Sequence, residues 1–169
     1  MRKWLVVLSL VIAFYLDTVF FNMLNLYGIR PDLTLAVIVS LGVLAGSGPA
    51  AAAGFITGLI ADVLFNKIVG LTALSYMLSG FIAGFFYRKF YADNIIIPTV
   101  LLLICFFVKE HVFLFASLLA GARPNYFMTL ITYILPSLLL TGGTVILVHL
   151  FFKKTLYRSL WRNEAIDVN

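Results

Sequence analysis

In a soluble domain about a quarter of the residues are charged; this 169-residue chain has 11% charged and 63% hydrophobic side chains, which excludes that class. A formal charge of +5 would point to nucleic acid in a soluble protein; here the basic residues collect at the ends of apolar runs, so they report membrane orientation and argue against a nucleic-acid partner. The single cysteine, Cys105, lies inside an apolar run, which excludes an internal disulfide and a cysteine-rich metal site.

The apolar runs approach the roughly 20 residues needed to cross a bilayer, and six spans are expected. The first covers residues 4–26. Met1-Arg2-Lys3 before it resembles the start of a signal peptide, but the run continues past Asp17 and no small-x-small site closes it. It reads as a retained span. The second, residues 33–45, is short and follows Arg30-Pro31-Asp32, where Asp32 is placed to start a helix. Gly46-Ser47-Gly48-Pro49 makes a tight turn into the third, residues 49–65. The fourth covers residues 70–87 and the fifth residues 95–119. The sixth covers residues 126–152, with Pro136 and Gly142-Gly143 as expected bends.

Six spans put both termini on one side. With the termini in the cytoplasm, the inner flanks hold Arg2, Lys3, Arg88, Lys89, Lys153, Lys154, Arg158 and Arg162, and the outer loops only Arg30, Lys67 and Arg123. The positive-inside rule therefore expects cytoplasmic termini. In the tail, Lys154, Arg158 and Arg162 are spaced four apart with Leu156, Leu160 and Trp161 between them. That pattern suits a short amphipathic helix on the anionic inner leaflet, and a plain topology anchor explains it equally well. The plan is one transmembrane domain, residues 1–152, and a basic tail, residues 153–169.

Small residues recur at helical spacing. Gly42 and Gly46, Gly54 and Gly58, and Gly80 and Gly84 form three Gly-x-x-x-Gly units in successive spans. Such units let helix backbones approach closely. They are expected to pack spans two to four together, or else to meet a partner protein or a second copy of the chain. Ala50, Gly54, Gly58 and Asp62 share one helical face, so this stripe ends in a carboxylate.

Other ionisable groups also lie within spans: Asp17 in the first and the run Lys109-Glu110-His111 in the fifth. An unpaired charge at the bilayer centre costs about 2.5–3.5 kcal/mol on insertion scales. Equal depth along the spans expects Lys109 to pair with Asp17 or to reach Asp62. Lys109 and Glu110 are not expected to satisfy each other, since sequence neighbours do not share a helix face. His111 is expected to donate to a carboxylate, and His149 to lie near the inner end of span six without a special role. The buried cluster of Asp17, Asp62, Lys109, Glu110 and His111 then either fixes helix order, lines a small-ligand pocket or moves a proton or ion. No metal-ligand spacing, catalytic serine–histidine–aspartate spacing or phosphate loop occurs. No cofactor, metal or catalytic residue is expected.

Pro31-Asp32-Leu33, Gly54-Phe-x-x-Gly58-Leu59-x-x-Asp62 and Gly70-Leu-x-Ala73-Leu74 occur in this order. The series resembles the MreD family of bacterial rod shape-determining membrane proteins. The resemblance implies an all-helical, multi-pass protein of the cell membrane with a fold like the substrate-binding S-components of energy-coupling-factor transporters. It implies a non-catalytic part in cell-wall elongation: binding MreC and, through it, linking MreB filaments to the polymerase RodA and its transpeptidase. The S-component likeness implies the competing reading, a small-solute-binding transporter subunit.

Overall fold

The computed structural model describes residues 3–20, 31–65, 69–87, 96–121 and 125–152, and among them six helices and no strand are found. Helix α1 is Lys3–Tyr15, continued by a π-helical turn, Leu16–Phe20. Then come α2 (Leu33–Ala45), α3 (Ser47–Phe65), α4 (Leu71–Gly84) and α5 (Ile96–Leu119). Helix α6 opens with Tyr126–Thr129, passes through a π-helical turn at Leu130–Ile134 and continues as Leu135–Phe152. The expected basic tail, the outer-loop cations Arg30, Lys67 and Arg123, and the inner-flank residues Arg2, Arg88 and Lys89 lie outside the described residues, as does the side chain of His149.

Helix α2 is the hub. It is apolar all round, the pattern of a helix enclosed by protein, and ten of its thirteen residues are buried. It packs against each of the other five helices. At 1.5 Å per residue it is about 20 Å long, short of the roughly 30 Å hydrocarbon core. The second expected span is therefore a short internal helix, about two-thirds of a full crossing, wrapped by its neighbours. Ser47–Phe65, Ile96–Leu119 and Tyr126–Thr144 are long and apolar enough to cross a membrane. Their outward faces carry large apolar side chains such as Ile56, Ile104 and Leu139, while Leu35, Ile38, Leu102 and Phe106 fill the interior. An apolar exterior of this extent suits lipid as the surrounding medium.

The glycine units meet one another inside the chain. Gly54 and Gly58 of α3 face α4, where a β-carbon on Gly58 would stand 2.5 Å from the Ala73 Cα. Gly80 and Gly84 face back onto α3; a β-carbon on Gly80 would stand 2.6 Å from the Ala50 carbonyl oxygen. Gly42 of α2 abuts Ala83, 2.7 Å from such an added carbon. Real side chains cannot occupy these distances, so the backbones touch through glycine alone. Gly46 does something else. It adopts φ +95° and donates its N–H to the Gly42 carbonyl (2.9 Å), reversing the chain between α2 and α3 in one residue.

An irregular turn in α6, Leu130–Ile134, ends two residues before Pro136. Proline lacks an N–H and its ring crowds the carbonyl four residues earlier, here Thr132, so the preceding turn widens to accommodate it. Gly142 and Gly143 lie within uninterrupted α-helix; glycine permits a bend but does not impose one.

Candidate functional site

The first N–H groups of a helix have no partner within it, and the start of α2 is buried. Two carboxylates supply what is missing. Asp17, on the π-helical turn of α1, accepts from the Leu33 N–H (2.9 Å), the Thr34 N–H (2.7 Å) and the Thr34 hydroxyl (2.6 Å). Asp32, the N-cap, accepts from the Leu35 N–H at 2.7 Å. Its own N–H donates to Thr141 Oγ1 of α6 at 3.2 Å. Carboxylates are further favoured here by the positive end of the helix dipole.

Asp32 then gathers two more helices. The Tyr76 hydroxyl of α4 donates to it, 2.9 Å from Oδ1 and 3.1 Å from Oδ2. The Lys109 ammonium of α5 lies 2.6 Å from Oδ2, 3.0 Å from Glu110 Oε1 and 4.9 Å from the centre of the Phe106 ring. A cation is thus held by two carboxylates and an aromatic face. Through Asp17, Asp32, Tyr76, Lys109 and Thr141, helices α1, α2, α4, α5 and α6 meet at one point.

Several sequence expectations are corrected. Lys109 pairs with Asp32 rather than with Asp17 or Asp62. Asp17 joins the same cluster by another route, capping α2. Lys109 and Glu110 do contact each other: neighbouring residues are about 100° apart on a helix, and the four-carbon lysine stem spans that angle. Asp62 is committed elsewhere. It accepts from the N–H groups of Gly70 (2.9 Å), Thr72 (3.2 Å) and Ala73 (3.0 Å), so the end of α3 caps the start of α4. Gly70 adopts φ +107° to turn its N–H onto Asp62, a conformation that favours glycine. His111 does not donate to a carboxylate. Its Nδ1 lies 2.8 Å from the Phe107 carbonyl, which can only accept, so Nδ1 donates, and Nε2 is hydrogen-bonded with the Tyr126 hydroxyl at 3.0 Å. That contact ties α5 to the start of α6.

Tyr76, Thr34 and Thr141 were not singled out by sequence reasoning. A usable signal existed for Tyr76: Thr72, Tyr76 and Gly80 stand four apart, and Ser79 lies beside them, a polar and small face on an otherwise apolar helix. Thr141 offers none, because an isolated threonine in a membrane helix usually bonds its own backbone, as this one also does to the Ser137 carbonyl (2.7 Å).

A cleft of about 630 Å³ runs between α1 and α3, with Leu41 of α2 at its floor. Its walls include Val7, Val11, Ala53 and Ile56. The one polar lining side chain, Thr57, already donates to the Ala53 carbonyl. None of the charged cluster lines this cleft. Among the described residues no group of histidine, cysteine, aspartate and glutamate could hold a metal ion.

A short central helix enclosed by five others, with buried charges that join helices, defines an all-helical membrane protein. The sequence profile of the rod shape-determining protein MreD family matches residues 1–160, and the chain belongs to that family. Its role accordingly falls in the determination of rod shape. No curated protein and no solved structure matches the chain.

Proposed function

We propose that the protein is a non-catalytic, multi-pass scaffold of the bacterial cell membrane that binds MreC and thereby couples MreB filaments to RodA and its transpeptidase. Family membership across residues 1–160 carries this reading. The site supports it: the carboxylates of Asp17, Asp32 and Asp62 are hydrogen-bonded to the starts of α2 and α4, and Lys109 is ion-paired to Asp32 and Glu110. Groups committed in this way stiffen a bundle and present a fixed outer surface to partners. The Gly-x-x-x-Gly faces are filled by the chain's own helices, so MreC or a second copy of the chain docks on the apolar exterior instead. The cleft between α1 and α3 is walled by apolar side chains, so this cleft offers a polar solute few partners.

Affinity capture of the tagged protein from native membranes, solubilised in mild detergent, tests the reading. Recovery of MreC is the expected result. Recovery of an energising transporter module in place of MreC overturns it.

A further inference from the structure

The cleft between α1 and α3 is built on one face of α1. Val6, Val7, Leu10, Val11 and Phe14 line it at spacings of three and four. Continued one turn back, the same spacing falls on Arg2 and Lys3. Lys3 is the first residue of α1, and Arg2 precedes it in the sequence. The stretches that form the two walls, residues 1–16 and 47–61, contain no acidic residue. The α1 face is thus apolar along the cleft and basic at its start.

The cleft is as deep as one leaflet. From Lys3 to Phe14 the helix rises about 16 Å, about half of the roughly 30 Å hydrocarbon core. There the rings of Phe14 and Phe65 meet, with centroids 6.2 Å apart, and end the cleft. The basic end lies at headgroup depth. Asp17 is tied to the start of α2, and Leu41 of α2 lines the cleft beside Val7, so α1 and α2 run side by side. Measured from that tie, Lys3 and the turn at Gly46 are each about 20 Å away along their own helices. Trp4, next to Lys3, is exposed, and tryptophan collects at the membrane–water interface.

These dimensions select the occupant. The one polar lining side chain, Thr57, already donates to the Ala53 carbonyl, so the cleft offers its occupant hydrocarbon contacts. A helix is about 10–12 Å across, and two turns of it, the length of the α1 wall, fill about 850–1,200 Å³. The cleft holds about 630 Å³. A spanning helix would also continue past Phe14 and Phe65 into the other leaflet. An acyl chain is thinner, ends near the midplane and carries its headgroup at the level of Arg2 and Lys3. Two adjacent cations favour an anionic headgroup.

We propose that the cleft holds an acyl chain of an anionic phospholipid, its phosphate at Arg2 and Lys3 and its chain lying between Val11 and Ile56 down to Phe14. The proposal does not depend on which partner protein the molecule binds.

A photoreactive diazirine amino acid in place of Ile56 tests it, in vesicles of equal parts phosphatidylcholine and phosphatidylglycerol with matched chains. Ile56 lines the cleft and is about half exposed. After illumination, mass spectrometry separates the two lipid adducts. Phosphatidylglycerol adducts are expected to exceed phosphatidylcholine adducts at least threefold. The same probe in place of Leu139, exposed on α6, is expected to give equal adducts. Arg2→Gln with Lys3→Gln is expected to bring the ratio at Ile56 to that at Leu139. Raised salt, which screens the two cations without changing the chain, is expected to do the same in the parent. Val11→Phe fills the cleft from its half-exposed α1 wall. It is expected to lower lipid adducts at Ile56 at least threefold and to leave those at Leu139 unchanged. Equal adducts at Ile56 in the parent overturn the proposal, as does a ratio left unchanged by either treatment of the cations. Undiminished adducts at Ile56 in Val11→Phe overturn it too, because the lipid then lies outside the cleft. In native membranes, an adduct at Ile56 to a second copy of the chain or to another protein, in place of lipid, assigns the cleft to a helix and overturns it likewise.

Discussion

Asp32 accepts hydrogen bonds from three different helices, its own included, through Leu35, Tyr76 and Lys109. Lys109 is the one cation in that set, and its side chain is only 13% exposed. Removing one member of a buried ion pair typically costs about 3–5 kcal/mol, because the other is left charged and unpaired. Lys109→Met is therefore expected to destabilise by about that amount. Lys109→Met combined with Asp32→Asn should cost less than the sum of the single changes, since the amide still accepts from Leu35 and Tyr76. The coupling expected for contacting residues is about 0.5–3 kcal/mol. Cys105 is buried and can report unfolding in detergent through its reaction with a thiol dye on heating. Strict additivity of the two changes would show that the pair is not a unit. That Lys109 needs a carboxylate was legible from the sequence; which carboxylate was not. Spans that cross fully would place Asp32 at a membrane surface. Because α2 is a buried helix too short to cross fully, its cap lies at the level of Lys109 instead.

Elements meet here through absent side chains. The pairing of α3 with α4 is reciprocal: glycines of each face backbone of the other, at Ala73 and Ala50. Gly58→Leu is expected to separate the two helices, because the obstruction is backbone and cannot rotate aside. A steep fall in the yield of folded, monodisperse protein on size-exclusion chromatography should follow. Gly48→Ala provides the contrast on the same helix, since nothing lies within 4 Å of its added carbon; its yield should match the parent. A normal yield for Gly58→Leu would contradict the close approach. The number of helices and most of their limits could be read from apolar runs and turn residues, since lipid requires both. The two π-helical turns could not, because one answers to Pro136 and the other carries a carboxylate whose partners lie on another helix. The glycine units could be read as packing surfaces, but spacing alone does not say whether the occupant is inside the chain or outside it.

The whole molecule is organised by the depth at which α2 begins. Its thirteen residues run from the charged cluster to the turn at Gly46, a rise of about 20 Å. If that turn lies at one surface of a hydrocarbon core about 30 Å thick, the cluster lies about two-thirds of the way across. From the bias of basic residues in the sequence, the turn is expected on the cytoplasmic side and the cluster in the outer half. Single cysteines in a Cys105→Ala background decide this in intact cells with a membrane-impermeant maleimide. Gly48, exposed at the start of α3, reports the side to which α2 runs; Val69, exposed beyond the end of α3, reports the opposite side. Val69→Cys is expected to react from outside, and Gly48→Cys only after the membrane is permeabilised. The reverse pattern would place the termini outside and the cluster in the inner half, and the basic flanks would then have some role other than orientation. Labelling of both from outside would show that α3 does not cross the membrane, against its nineteen apolar-rich residues.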